Sequence, residues 1–205
     1  AGSDWNEWRV RDVDTGMDLA DHLRWIKFSG ASWAKDGSGF YYSRYDAPAE
    51  GEELQQANYY QKLFFHTLGQ PQESDTLIYE RPDEKEWSFG GYVSEDGAYL
   101  LISVRQGTER KNRLYYKPLA GPDAPVVALL DGFDAAYGFL GREGTEFWLQ
   151  TDNDAPRGRV IAVDLADPDP AKWREVIPEA EETLQDISLT GDRFFATYLK
   201  DAHTQ

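Results

Sequence analysis

Three histidines, His22, His66 and His203, are the side chains in this 205-residue chain best suited to proton transfer or metal binding near neutral pH. They show no H-E-x-x-H or comparable ligand spacing, so a zinc site is not expected, and each reads as an isolated structural or surface histidine. A serine nucleophile on a strand-to-helix elbow needs G-x-S-x-G, and neither "FSGAS" nor "GSGF" fits that spacing. No Walker loop and no strand-linked G-x-G-x-x-G is present. Carboxylates occur in pairs, such as Glu52-Glu53 and Glu181-Glu182, but in polar loops. A glycosidase pair needs a defined separation across a cleft, so these read as solvated acids. The absence of cysteine excludes disulfides, thiolate metal sites and a cysteine nucleophile. The chain is therefore expected to hold no catalytic residue, no metal and no cofactor.

The elements that would position any site are hairpins. "SWAKDGSGFYYSRY" (32–45) is echoed by "YVSEDGAYLLISV" (92–104), "FLGREGTEFWLQT" (139–151) and "ISLTGDRFFATYL" (187–199). Each is a short strand, a Gly-containing turn and a more apolar strand. A second phrase follows in "KLFFHTLGQP" (62–71), "RLYYKPLAGP" (113–122) and "RVIAVDLADP" (159–168), with an earlier copy in "EWRVRDVDTG" (7–16). Leu68, Leu119 and Leu165 fall at equivalent places, 51 and 46 residues apart. Fourth strands follow in "TLIYE", "VVALL" and "WREVI". Four antiparallel strands at this period describe an all-β chain of β-propeller blades, with a β-sandwich as the competing fold. The aromatics of "FYYSRY" and "LFFHTL" are expected in the core between blades.

Counting strands places a partial blade at 5–28, complete blades near 31–80, 88–131 and 135–178, and a partial blade at 184–205. The whole of 1–205 then reads as an arc cut from a larger ring. Alternating strand directions put the "DG" and "LGQP" turns on one face. The opposite face receives Phe28-Ser29-Gly30, Trp87-Ser88-Phe89-Gly90, and the loops 46–58, 106–112 and 151–158. Exposed aromatics beside long loops suit a binding face, and the alternative is that Phe28 and Trp87 plug the ends of blades.

A net charge of −16 makes nucleic acid and anionic membrane poor partners. No apolar run approaches the roughly 20 residues that span a bilayer. The N-terminal "AGSDWNEWRV" does not read as a signal peptide. The cytoplasm is the expected compartment, with the bacterial periplasm as the alternative.

The phrases "LRWIKFSGASWAKDGSGFYYSRY", "YYQKLFFHTLGQPQESDTLIYE", "SEDGAYLLISVRQGTERKNRLYY" and "DPAKWREVIPE" closely resemble the propeller domain of the prolyl oligopeptidase family, in matching order across essentially the whole chain. The resemblance implies a seven-bladed propeller capping an α/β-hydrolase domain, in a serine peptidase that cuts short peptides after proline. It places the Ser-Asp-His triad in that hydrolase part, outside these residues. The chain alone is then inactive, and its partners are a proline-containing oligopeptide and the hydrolase domain of the same parent. By motif position the resemblance assigns Phe28 of "KFSG", Ser88 of "EWSFGG" and Thr108 of "RQGTE" to the S3 part of the substrate site. Ser88 stands where the family has a larger apolar residue, with Phe89 as a substitute beside it. Thr108 stands where some members carry a reactive cysteine. Arg105 is placed facing the central cavity or in a structural salt bridge. The rival readings are a non-enzymatic propeller module that binds peptides or proteins, and an excised fragment paired with another chain.

Overall fold

The computed structural model describes residues 4–49, 51, 58–121 and 123–200, and the backbone of 203–204. Apart from single 3-10 turns at Gln72–Ser74 and Pro170–Lys172, its regular structure is antiparallel strand. β1 (Asn6–Arg11) and β2 (Asp18–Ile26) form a two-stranded sheet. β3 (Ser32–Trp33), β4 (Gly39–Arg44), β5 (Lys62–Thr67) and β6 (Thr76–Tyr79) form a four-stranded sheet in chain order. So do β7 (Trp87–Val93), β8 (Tyr99–Gln106), β9 (Arg113–Pro118) and β10 (Val127–Leu130). β11 (Tyr137–Glu143), β12 (Glu146–Thr151), β13 (Arg159–Asp164) and β14 (Arg174–Ile177) repeat the order. β15 (Thr183–Thr190), β16 (Arg193–Lys200) and the short β17 (His203–Thr204) make a three-stranded sheet.

The repeated phrases have repeated hydrogen bonds. The amides of Leu68, Leu119 and Leu165 donate to the carbonyls of Ser38, Ala98 and Thr145 at 2.9, 2.8 and 3.0 Å. Each bond ties the second phrase to the hairpin turn before it. Those turns use glycine where the chain enters the left-handed region, at Gly37 (φ 72°) and Gly97 (φ 73°).

The chain divides into two compact units, one running to Thr108 with Tyr116–Val127, the other made of Glu109–Tyr115 with Ala128 onward. In the first, β4 is buried along nearly its whole length, as its apolar run predicts for a strand covered on both faces. Leu23, Ile26, Phe40, Tyr42 and Phe64 form one cluster, closed by Trp8 and Val10. On its other side β4 meets β7, where Gly91 is so tightly placed that a Cβ would lie 3.1 Å from Leu63. Of the aromatics expected in the core, Phe40, Tyr41, Tyr42, Tyr45 and Phe64 are buried. In the second unit, Val160, Leu184 and Ile187 pack with Leu140, Val176, Phe194 and Tyr198.

Candidate functional site

The first unit holds a cavity of about 630 Å3 lined by Phe28, Tyr45, Asn58, Glu86, Ser88, Phe89, Gly90, Ser103, Arg105, Gly107 and Thr108. Its geometry begins with the strand ladder. Ser88 lies opposite Arg105 and Gly90 opposite Ser103 in the β7–β8 register. Strand alternation therefore brings these four to the cavity together, while the side chains of the intervening Phe89 and Val104 are buried.

Phe28 is held differently. Its φ is +52°, a left-handed conformation that costs a bulky residue about 1–3 kcal/mol, and its ring is 70% exposed. Buried side chains on both flanks impose it. Gln61 donates from Nε2 to the Lys27 carbonyl at 3.0 Å and accepts at Oε1 from the Phe89 amide at 2.7 Å. The Ser43 amide donates to Ser29 Oγ at 2.7 Å, and Ser43 Oγ donates to the Phe89 carbonyl at 2.5 Å. Gln61 and Ser43 are each 1% exposed, so the Phe28 and Phe89 segments are fastened through two dehydrated bridges. Lys27 is also buried, its ammonium donating to Asn58 Oδ1 at 3.0 Å and lying 3.9 Å from the Trp5 ring centre.

The wall is chemically mixed: hydroxyls at Ser88, Ser103 and Thr108, an exposed ring at Phe28, a cation at Arg105 and an anion at Glu86. Arg105 is exposed and makes no ion pair or hydrogen bond among the described residues, so its guanidinium is available to a ligand. Such a surface can hold a short polar chain bearing an apolar side group. Among the described residues it presents no nucleophile–base pair.

Phe28, Ser88, Phe89, Arg105 and Thr108, the five residues named from the sequence, thus lie on one cavity. Two placements refine that reading. Phe89 is at the wall, but its ring is 2% exposed and edge-on to Tyr79 at 5.2 Å, so it packs inward rather than replacing an apolar group beside Ser88. Trp87, placed with Phe28 on the loop face, is buried at 3% with the Arg81 guanidinium 4.5 Å from its ring centre. Trp87 is a plug and Phe28 is not.

The histidines also separate. His22 bonds Glu7 Oε2 at 2.7 Å near the surface. The side chain of His203 and the pair Glu52-Glu53 lie outside the described residues. Glu182 is paired with Lys200 at 3.0 Å. His66 is not isolated: its Nδ1 is 2.7 Å from Asp75 Oδ1 and its Nε2 2.8 Å from Asp21 Oδ1, all fully buried. Tyr42 Oη donates to Asp75 Oδ2 at 2.6 Å, and the Gly69 amide donates to Asp21 Oδ1 at 2.6 Å. Burial works to raise the Asp21 carboxyl, but the Gly69 amide and His66 ring outweigh it and hold the group below its usual value. With both ring nitrogens taken, His66 is a cross-link between β2, β5 and the turn before β6, not a free base.

A family model for the prolyl oligopeptidase N-terminal β-propeller domain matches residues 1–205. The chain belongs to this propeller family. Prolyl endopeptidases from Elizabethkingia miricola and Elizabethkingia meningoseptica are 36% and 38% identical to it, over 100% of this chain and 28% of each relative. A solved prolyl endopeptidase structure superposes with a TM-score of 0.87 at 32% identity, over 100% of this chain and 29% of the other. Prolyl oligopeptidase B from Galerina marginata, solved with a 35mer hydrolysis and macrocyclization substrate, gives 0.88 at 27% identity, over 99% and 30%. The chain spans less than a third of the length of the relatives it matches.

Sequence reasoning did not name Tyr45, Asn58, Glu86, Gly90, Ser103 and Gly107 as site residues, although it put Asn58, Gly90 and Gly107 in the stretches of the binding face, and it did not name Gln61 and Ser43 behind the cavity. A usable signal existed for two of them: Gly90 shares the parity of Ser88, and Ser103 that of Arg105. No helix among the described residues is long and apolar enough to cross a membrane.

Proposed function

We propose that this chain is an arc of a seven-bladed propeller in a serine peptidase that cleaves short peptides after proline. It covers an α/β-hydrolase domain that supplies the triad, and the cavity at Phe28 forms one wall of the peptide site. The observation that carries this reading is the convergence of the residues named through the resemblance, Phe28, Ser88 and Thr108 with Phe89 and Arg105 near them in the chain, on one cavity of about 630 Å3. In it Phe28 contacts an apolar side chain at the third position before the cleaved bond, while Ser88 and Thr108 supply hydroxyls and Arg105 a positive charge. The blade boundaries near 31–80, 88–131 and 135–178 belong to the proposal, as do the partial blades at 5–28 and 184–205. So does a cytoplasmic parent that binds neither nucleic acid nor membrane.

The test uses the full-length protein that carries this chain. Phe28→Ala raises KM about tenfold for peptides with an apolar residue at the third position, and leaves peptides with glycine there nearly unaffected. An equal effect on both peptides removes the assignment. A complementary assay offers a Gly-Pro chromogenic substrate to the 205-residue chain by itself. Turnover sensitive to a serine-directed inhibitor would show that the chemistry is not elsewhere.

A further inference from the structure

A second cavity of about 330 Å3 lies beside the first and shares Tyr45 and Asn58 with it. Its remaining lining is Trp5, Asp46, Ala47, Tyr59 and Tyr60. We propose that it is a further peptide subsite, taking an aromatic or proline ring from the same peptide, beyond the residue seated on Phe28. The proposal rests on the reading that a peptide lies across the first cavity.

Aromatic surface dominates the site. Trp5 meets Tyr45 at 6.0 Å and Trp25 at 5.6 Å, both edge-on, and Tyr59 meets Tyr60 at 6.4 Å in the same manner. Tyr59 and Tyr60 remain 40% and 47% exposed, and neither hydroxyl is hydrogen-bonded among the described residues. Tyr60 has φ +60°, so with Phe28 two bulky exposed aromatics, one on each cavity, sit in the left-handed region. The amide of Tyr60 is anchored on the Lys85 carbonyl at 2.8 Å, which fixes the turn that leaves its ring outside the core. Strained backbone that exposes rings rather than burying them is what a recognition surface shows.

Charge narrows the ligand. Cations are already in place on two of the rings, with Lys27 3.9 Å from the Trp5 centre and Lys85 4.6 Å from that of Tyr59. The one carboxylate in the lining, Asp46, is paired with Lys62 at 2.8 Å. A lysine or arginine from a peptide would enter a site whose cation positions are filled, whereas an uncharged ring adds apolar contact without displacing any of them. Aromatic grooves of this kind also suit proline, whose ring is apolar and whose backbone is pre-ordered.

The test is steady-state kinetics on the full-length protein with peptides that differ only beyond the residue seated on Phe28, carrying Gly, Phe or Lys there. Phe is expected to lower KM about tenfold relative to Gly, and Lys to give no gain. Tyr60→Gly removes the ring at a position whose φ glycine adopts readily, and thermal unfolding checks that the variant is folded. In it the Phe-to-Gly ratio falls to about one, and Tyr59→Ser reduces the ratio in the same direction. A Phe preference that survives both variants, or a Lys preference equal to that for Phe, overturns the proposal. Phe28→Ala separates the two readings. It leaves the Phe-to-Gly ratio intact if the sites are distinct, whereas an unaltered KM at the third position defeats the first cavity's assignment alone.

Discussion

The Asp21–His66–Asp75 cluster and the Phe28 cavity occupy the same unit and reverse the expectation raised by residue type. The cluster holds the side chains most associated with catalysis, yet both imidazole nitrogens and both Asp75 oxygens are bonded within it. Only Asp21 Oδ2 among its polar atoms is without a partner. The cavity holds an exposed phenylalanine, two serines, a threonine and two glycines beside one arginine and one glutamate, an unremarkable set on paper. Its Arg105 makes no ion pair or hydrogen bond among the described residues, and its Phe28 is strained. Capacity to bind follows from what is left unsatisfied where a ligand can reach it, and a buried cluster with all but one of its polar atoms bonded internally acts as a structural clip.

That contrast can be broken most decisively at His66. His66→Ala strands two buried carboxylates and should destabilise the fold by about 3–5 kcal/mol, measured by urea unfolding, with no change in peptide preference in whatever fraction stays folded. A loss below 1 kcal/mol would show that the cluster is not a structural clip. Gln61→Ala comes next, at about 2–4 kcal/mol, because the Lys27 carbonyl and the Phe89 amide both lose their buried partner. Unlike His66→Ala it should also weaken binding at the cavity, since the backbone before Phe28 loses its brace.

The pH dependence sharpens the same contrast. Asp21 has a depressed folded-state pKa, so its contribution is fully present above the unfolded value near about 4 and is lost as pH falls through the folded value. The stability gap between the parent and Asp21→Asn should therefore narrow as unfolding is followed from pH 7 to pH 3. A gap constant over that range would assign the effect to packing. The smallest expected change has the opposite sign. Phe28→Gly relieves a positive φ and removes little buried surface, so it should stabilise the fold by about 1 kcal/mol while weakening the apolar preference. If it destabilises instead, Phe28 is a packing residue and the cavity loses its anchor.

Much of this was legible in the residues. The Asp-Gly and Glu-Gly turns, the alternating strands and the recurring leucines determine four-stranded hairpin units, because turn chemistry and period-two burial are local properties. The residues at Phe28, Ser88, Arg105 and Thr108 were reachable through their motifs. What tertiary structure alone decided is the direction and company of side chains. His66 and Asp21 are 45 residues apart, and Gln61 and Phe89 28 apart, so no spacing rule pairs them. Phe28 and Trp87 read alike as aromatics before a hairpin, yet one ring is 70% exposed and the other 3%. Packing between sheets made that distinction, since burial depends on which neighbour arrives opposite and not on the residue's own surroundings in the chain.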